Sequence, residues 1–305
     1  MIIDLKKDLN NIFKCLFIEN GFKIDGVKDD DFVLAYLNFF RRKVCSKKRV
    51  MYLSDCFKCP NSLCNAWSKF RCCVEDGNDI AIYQSKQIVD LTKKDILLND
   101  WGIYHFHLGE ELDKGWIKRT DELVFAIVKP DAFYTIGIFK HGDWTNKDLL
   151  EIVHRNWPEL LKRFRCRSLN VESLDNDKMK ILRKKGYNFF VRMEDGTSYS
   201  PPGYGHVATG YCLSDFMRLI YIERFLDNCE EKIIKKFKEK ENILVKNNLY
   251  RAGDVINVFL KVVKGFYLRV CFPEYNHFSF DFMSIEELLN IDERYAGIEV
   301  NITIP

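Results

Sequence analysis

The sequence predicts an α+β protein: a central antiparallel sheet with flanking helices, plus a C-terminal helix-and-hairpin lobe. Three observations carry this. Apolar residues recur at helical spacing near both ends of the chain, three strand-like runs lie between Ile103 and Phe139, and a hairpin pattern follows Val255. No internal repeat interrupts them.

In order, Ile2, Leu5, Leu9, Ile12, Phe13, Leu16 and Phe17 line one helical face, and Asn20-Gly21 ends it. Phe32, Val33, Tyr36, Leu37 and Phe40 give a second helix behind Asp29-Asp30-Asp31, acids that suit the positive end of a helix dipole. A short strand is expected at Val50–Leu53, a helix from Ser62 through Trp67 and Phe70, and a strand at Ile80-Ala81-Ile82. Thr92-Lys93-Lys94-Asp95 reads as a helix start of capping-box type, with Asp in place of Glu. The runs Ile103–Leu108, Leu123–Val128 and Tyr134–Phe139, parted by turns, form a meander more naturally than βαβ units. Thr145-Asn146-Lys147-Asp148 opens another helix, which Trp157-Pro158 stops. Gly186 caps a helix through Met179 and Leu182, and Phe189-Phe190-Val191 reads as a strand. The Pro- and Gly-rich loop SYSPPGYGHVATGY is the expected hinge, lid or strap. A long helix follows from about Ser214 to Val245, broken near Cys229. A hairpin then turns at Lys264-Gly265, with a further strand near Phe278–Phe282. These elements group as an N-terminal helical, cysteine-bearing lobe (1–84), a central α+β domain (85–194) and a C-terminal lobe (195–305).

Composition narrows the class of protein. At 305 residues and 47% hydrophobic, the chain can bury a core, which excludes wholesale disorder. Mean hydropathy is −0.23 and no run of eighteen apolar residues occurs, so no membrane-spanning helix is expected. The charged N-terminal helix does not fit a signal peptide, and eleven cysteines, an odd and scattered count, do not fit a secreted disulfide framework. A cytoplasmic protein with reduced thiols is expected. The formal charge of +3 gives no global argument for a polyanionic partner.

Candidate chemistry is local. In Tyr104-His105-Phe106-His107-Leu108 the histidines are two apart, so on a strand they face one side. Such a pair can share acid and base duties or hold a metal, with His141, Asp143 or Asp100 as a third ligand; two half-buried structural histidines are the alternative. Arg119 and His141 bracket the later strands. A histidine and an arginine converging on a sheet face suit RNA cleavage without a metal: a base for the 2′-hydroxyl, a cation for the phosphorane and an acid for the leaving oxygen. Cys56-Phe57-Lys58-Cys59 has zinc-ligand spacing, with Cys45, Cys64, Cys72 and Cys73 nearby, although no second C-x-x-C completes a ribbon. Residues 155–192 carry eleven Lys/Arg against four Asp/Glu. Arg155, Lys162, Arg163, Arg165 and Arg167 are the candidate RNA-binding residues, with Arg183, Lys184 and Lys185 in the same surplus and Trp157, Phe164 and Tyr187 interleaved as stacking aromatics.

Residues 104–143, from YHFHLG through KGWIKRTDELVFAIV to FYTIGIFKHGDW, resemble the closing strands of RelE/ParE-type toxins. Those proteins have a histidine- or arginine-bearing strand, a Gly-containing turn, an Arg-led strand and a last strand ending in His. The resemblance implies a messenger-RNA endonuclease of toxin–antitoxin type. Arg119 and His141 would be catalytic or RNA-binding, His105 or His107 would assist, and an antitoxin would be a partner. The second arginine usual in the middle strand is absent, with Glu122-Leu123 in that region. The expectation is an endoribonuclease of toxin or phage-defence type needing no cofactor. The alternative is a non-catalytic binding or assembly protein, with structural His and Cys, zinc as a stabiliser and self-association as its mode.

Overall fold

The structure, a computed structural model, describes residues 1–140, 142, 146–167, 171–275 and 279–291. The chain divides into two compact units, Met1–Leu37 with Ser214–Pro305, and Asn38–Leu213. The division differs from three consecutive lobes parting at 84 and 194. Pairing between strands more than 250 residues apart, which no local pattern announces, ties the first residues to the C-terminal hairpin.

The first unit begins with β1 (Ile2–Ile3) and α1 (Leu5–Glu19), whose N-cap Asp4 accepts the Lys7 N–H. Leu5, Leu9, Phe13 and Phe17 form its buried stripe. α2 (Phe32–Arg42) then carries the chain into the second unit.

In the second unit, β2 (Val50–Leu53), α3 (Cys64–Asp76) and α4 (Ile96–Trp101) precede the meander. Its strands are β3 (Tyr104–His107), a small hairpin of β4 (Leu112–Asp113) and β5 (Trp116–Ile117), then β6 (Glu122–Val128) and β7 (Ala132–Lys140). The sheet order is β2-β7-β6-β3, antiparallel within the meander and parallel between β2 and β7. Alternation along β6 separates two cores: Leu123, Phe125 and Ile127 face one, Val124 and Ala126 the other. A bulge opposite Phe125/Ala126 changes the facing of β7, so Tyr134 and Ile136 share a core with Phe139 while Phe133 and Ile138 face the opposite one. Gly137 sits at this point, where a Cβ would come within 2.6 Å of the Phe139 ring.

On one face α3 packs through Trp67, Phe70 and Val74. On the other lie α5 (Asp148–Asn156) and α6 (Asn176–Lys184), with β8 (Arg165–Cys166) between them in sequence. β9 (Val191–Arg192) and β10 (Ser198–Tyr199) join β8 in the order β8-β10-β9. Ile80-Ala81-Ile82 is not a strand. Asp79 Oδ1 accepts the Ala81 N–H at 2.9 Å and starts a 3₁₀ turn over Ala81–Tyr83. Of Phe189-Phe190-Val191, only Val191 enters a strand.

The Pro/Gly loop is a strap. Gly203 N–H donates to the Asp100 carbonyl at 2.9 Å and Gly205 N–H to that of Asn99 at 2.8 Å. The contact needs glycine, because a Cβ on Gly203 would lie 2.2 Å from the Leu98 carbonyl oxygen.

Returning to the first unit, α7 (Leu213–Lys246) runs unbroken through Cys229, which is buried. The Leu5 N–H donates to Glu230 Oε1 at 2.6 Å, joining α1 to α7. β11 (Asn257–Val263), β12 (Tyr267–Cys271) and β13 (Phe280–Ser284) form the expected C-terminal sheet, with β1 added in parallel to β11. α8 (Ile285–Leu289) closes the described chain with a Ser284/Glu287 capping box. No helix among the described residues is long and apolar enough to cross a membrane.

Candidate functional site

β3 is an edge strand, and the register His105↔Phe125, His107↔Leu123 turns both imidazoles to the side of the sheet that Leu123 and Phe125 face. A pocket of about 490 Å³ opens there, walled also by the loop at residues 84–88, the start of α4, and the last residues of α2 and α6. Arg119, just after the β4–β5 hairpin, reaches it with Nη2 3.3 Å from Ser85 Oγ. The pocket therefore brings together His105, His107 and Arg119. His141 and Asp143 lie outside the described residues.

The two histidines have different surroundings. His107 is buried, and the Thr120 backbone N–H donates to its Nδ1 at 3.3 Å. Thr120 is itself fixed, donating Oγ1–H to the Glu122 carbonyl and accepting the Leu108 N–H. With Nδ1 as acceptor, the neutral ring carries its proton on Nε2, and a second proton on Nδ1 would oppose the Thr120 N–H. His105 faces a carboxylate instead, with Nδ1 3.9 Å from Asp95 Oδ2. Asp95 rather than Thr92 caps α4: its Oδ1 accepts the Leu98 N–H at 3.0 Å, which holds the other oxygen toward the imidazole.

Six cationic side chains, Arg42, Lys93, Lys94, Arg119, Arg183 and Lys184, line the pocket against one carboxylate, Asp95. Two of the cations are deeply buried. Arg42 donates to the carbonyls of Gln87, Ile88 and Asp90 and clamps the neighbouring loop. Arg183 donates Nε–H to Asp100 Oδ2 at 2.7 Å and lies 4.0 Å over the Trp101 ring. Burial pushes the Asp100 carboxyl above its ordinary value, against the pull of Arg183 and of His206, whose Nδ1 is 3.4 Å from Oδ1. The same burial lowers the Arg183 guanidinium.

A cationic pocket of this size, with one imidazole held by a backbone N–H and a second beside a carboxylate, can hold a phosphate-bearing group and exchange protons with it. Arg42, Lys93 and Lys94 carry no signal in the sequence, and Arg183 and Lys184 stand out there only as members of the basic surplus over 155–192. Their positions are scattered from 42 to 184, and the local signals are the cap chemistry at Asp95 and that surplus.

The expected RNA-binding residues Arg155, Lys162, Arg163, Arg165 and Arg167 do not line this pocket. Arg155 is engaged by Asp55 through two 2.8 Å contacts, which hold the Asp55 carboxyl well below its usual range. The Arg163 guanidinium lies 5.2 Å from the Tyr204 ring centroid, and Tyr204 packs edge-on against Phe164.

The cysteines make separate local contacts. Cys56 Sγ is 3.5 Å from Ser54 Oγ, whereas Cys59 and Cys64 both point their thiols at the Pro60 carbonyl. Burial and the Cys64 thiol push Cys59 up to about 11, so it stays protonated at neutral pH. Cys45 accepts from Arg49, and Cys73 contacts the Tyr83 hydroxyl. Among the described residues no three His, Cys, Asp or Glu side chains gather as a metal-ligand set. This applies to His105 and His107 as well, since Asp100 is turned to Arg183 and His206.

The chain matches no protein-family model, no curated protein and no solved structure.

Proposed function

We propose that this protein is a metal-independent endoribonuclease of toxin or phage-defence type. The observation that carries the reading is the convergence of His105, His107 and Arg119 on one cation-lined pocket. In this reading His105, whose Nδ1 lies 3.9 Å from Asp95, takes the proton of the 2′-hydroxyl as that oxygen bonds to phosphorus. Arg119 and the His107 Nε2–H stabilise the charge gathering on the non-bridging oxygens. The bond from phosphorus to the 5′-oxygen then breaks, and that oxygen takes a proton from an imidazolium. His107 is unsuited to that last task, because Thr120 occupies its Nδ1. The resemblance of residues 104–143 to the toxins assigns that role to His141. The products are a 2′,3′-cyclic phosphate and a 5′-hydroxyl.

The test is incubation of the purified protein with total bacterial RNA, with and without EDTA, beside Arg119→Ala, His105→Ala and His141→Ala. The expected result is EDTA-resistant cleavage leaving cyclic phosphate ends, reduced about 100-fold or more in each variant. A DNA oligonucleotide, lacking the 2′-hydroxyl, should remain intact. Cleavage abolished by EDTA would overturn the metal-independent mechanism, and intact RNA in every lane would overturn the enzyme reading. If the protein is a toxin, its induction in a bacterium halts growth and His141→Ala relieves the arrest; an antitoxin would then be its natural partner.

A second reading is a non-catalytic binding or assembly protein that associates with itself or another chain. What favours it is the pair Phe266, 66% exposed, and Tyr267 at the C-terminal hairpin turn.

A further inference from the structure

We infer that Cys59 and Cys64 form a dithiol redox site, at which a small-molecule disulfide closes an intramolecular Cys59–Cys64 bond. The segment follows β2, the edge of the sheet opposite β3, and nothing in the inference rests on the ribonuclease reading.

The two thiols converge on one acceptor. Cys59 Sγ and Cys64 Sγ each lie 3.5 Å from the Pro60 carbonyl oxygen, and the two thiols are hydrogen-bonded to each other. That carbonyl already accepts the Leu63 N–H at 2.9 Å, so two weak S–H donors add little to its satisfaction. The backbone presents the pair. The Leu63 bond and that from Cys64 N–H to the Asn61 carbonyl close a 3₁₀ turn over Asn61–Leu63, behind the fixed φ of Pro60. Phe57 packs on Trp67 of α3 with ring centroids 4.7 Å apart, tying the approaching chain to the helix that Cys64 begins. The sulfurs are therefore in contact before any bond joins them.

Their surroundings differ as those of an attacking and a resolving thiol differ. Cys64 is exposed, and the first turn of α3 holds no acidic side chain to oppose negative charge beside it. Cys59 is half-buried and, pushed up to about 11, keeps its proton at neutral pH. Packing explains a cysteine that serves as a small buried hydrophobe, as Cys229 does, and leaves the exposed Cys64 unexplained. The C-x-x-C spacing would pair Cys59 with Cys56, but Cys56 Sγ faces Ser54 Oγ.

In the reaction Cys64 attacks, as thiolate, one sulfur of the incoming disulfide. A mixed disulfide forms, and the first leaving thiolate takes up the proton that Cys64 released. Cys59 then gives its proton to solvent and attacks the Cys64 sulfur, and the second half of the reagent leaves as a thiolate that solvent protonates. The protein dithiol is oxidised by two electrons, and one external disulfide is reduced to two thiols. The closed loop spans only the six residues 59–64, which gains little loop-closure entropy, so the bond should stay reversible.

The test uses the reduced full-length protein and oxidised glutathione as the probe, with alkylation of remaining thiols and peptide mapping by mass spectrometry. In the native protein a Cys59–Cys64 bond should form ahead of any other protein disulfide, and dithiothreitol should remove it. Cys59→Ser should leave glutathione trapped on Cys64, because the resolving thiol is gone. Cys64→Ser should leave Cys59 unmodified, because the attacking thiol is gone. Cys56→Ser should leave the Cys59–Cys64 bond forming as in the native protein.

A Cys56–Cys59 bond, glutathione that stays on Cys64 in the native protein, or a pair left reduced while exposed Cys15 or Cys72 reacts would each overturn the inference. Mapping the native protein needs no variant, so misfolding of a serine variant cannot obscure the answer.

Discussion

Two groups of cations in the same unit contrast in arrangement. The run from Arg155 to Arg167 is dense in sequence, and in the structure it is spread over α5, 3₁₀ turns and β8, with Arg155 engaged by an exposed aspartate. The pocket cations come from widely separated segments, yet they share one cavity. Linear charge density measures how often a chain can meet a phosphate. Convergence decides whether it can hold one in a particular place.

Phe125 pairs with His105 in register and is fully buried. Phe125→Ala should cost about 3–5 kcal/mol in stability, read by urea denaturation. Pocket-dependent phosphate binding should fall with the folded fraction. A variant as stable as the native protein would show that the pocket floor is not built on this pair.

Replacing Arg163, Arg165 and Arg167 together with Ala should lower the slope of log affinity for single-stranded RNA against log salt by about 2. Cleavage at saturating RNA should remain unchanged. A lost cleavage rate would move these residues from the periphery into the site.

The smallest effect is expected at Arg155→Ala, which should leave phosphate binding and the melting temperature unchanged within error. The Asp55–Arg155 pair is exposed and solvent screens it. A clear drop in melting temperature would show that this contact anchors α5.

Much of the fold was readable because the elements follow simple periods. The three meander strands lie within two residues of their expected bounds, and the two-residue spacing of His105 and His107 places them on one side as anticipated. What was not readable depends on distant partners. β1 joins β11 across some 250 residues, and β2 joins the meander in parallel through a connection that contains α3 and α4. The turn at Asp79 overrode an apolar run because one side-chain oxygen captured a backbone N–H. The site divided along the same line. His105, His107 and Arg119 are close in sequence and were identified as a group. Arg42 and Arg183 enter the pocket through helix ends, where a sequence shows only another basic residue in a helix's last turn.

Asp95 carries two duties on one carboxylate, an oxygen for the first turn of α4 and an oxygen for His105. A lineage drifting by single substitutions would find these duties unequally replaceable. Ser, Thr or Asn at this position would preserve the cap and remove the charge, so the helix could persist while the imidazole lost its neighbouring carboxylate. Function could then be lost without loss of the protein. Descendants that had given up the chemistry would keep the architecture, and an Asn at position 95 would be the mark by which to recognise them.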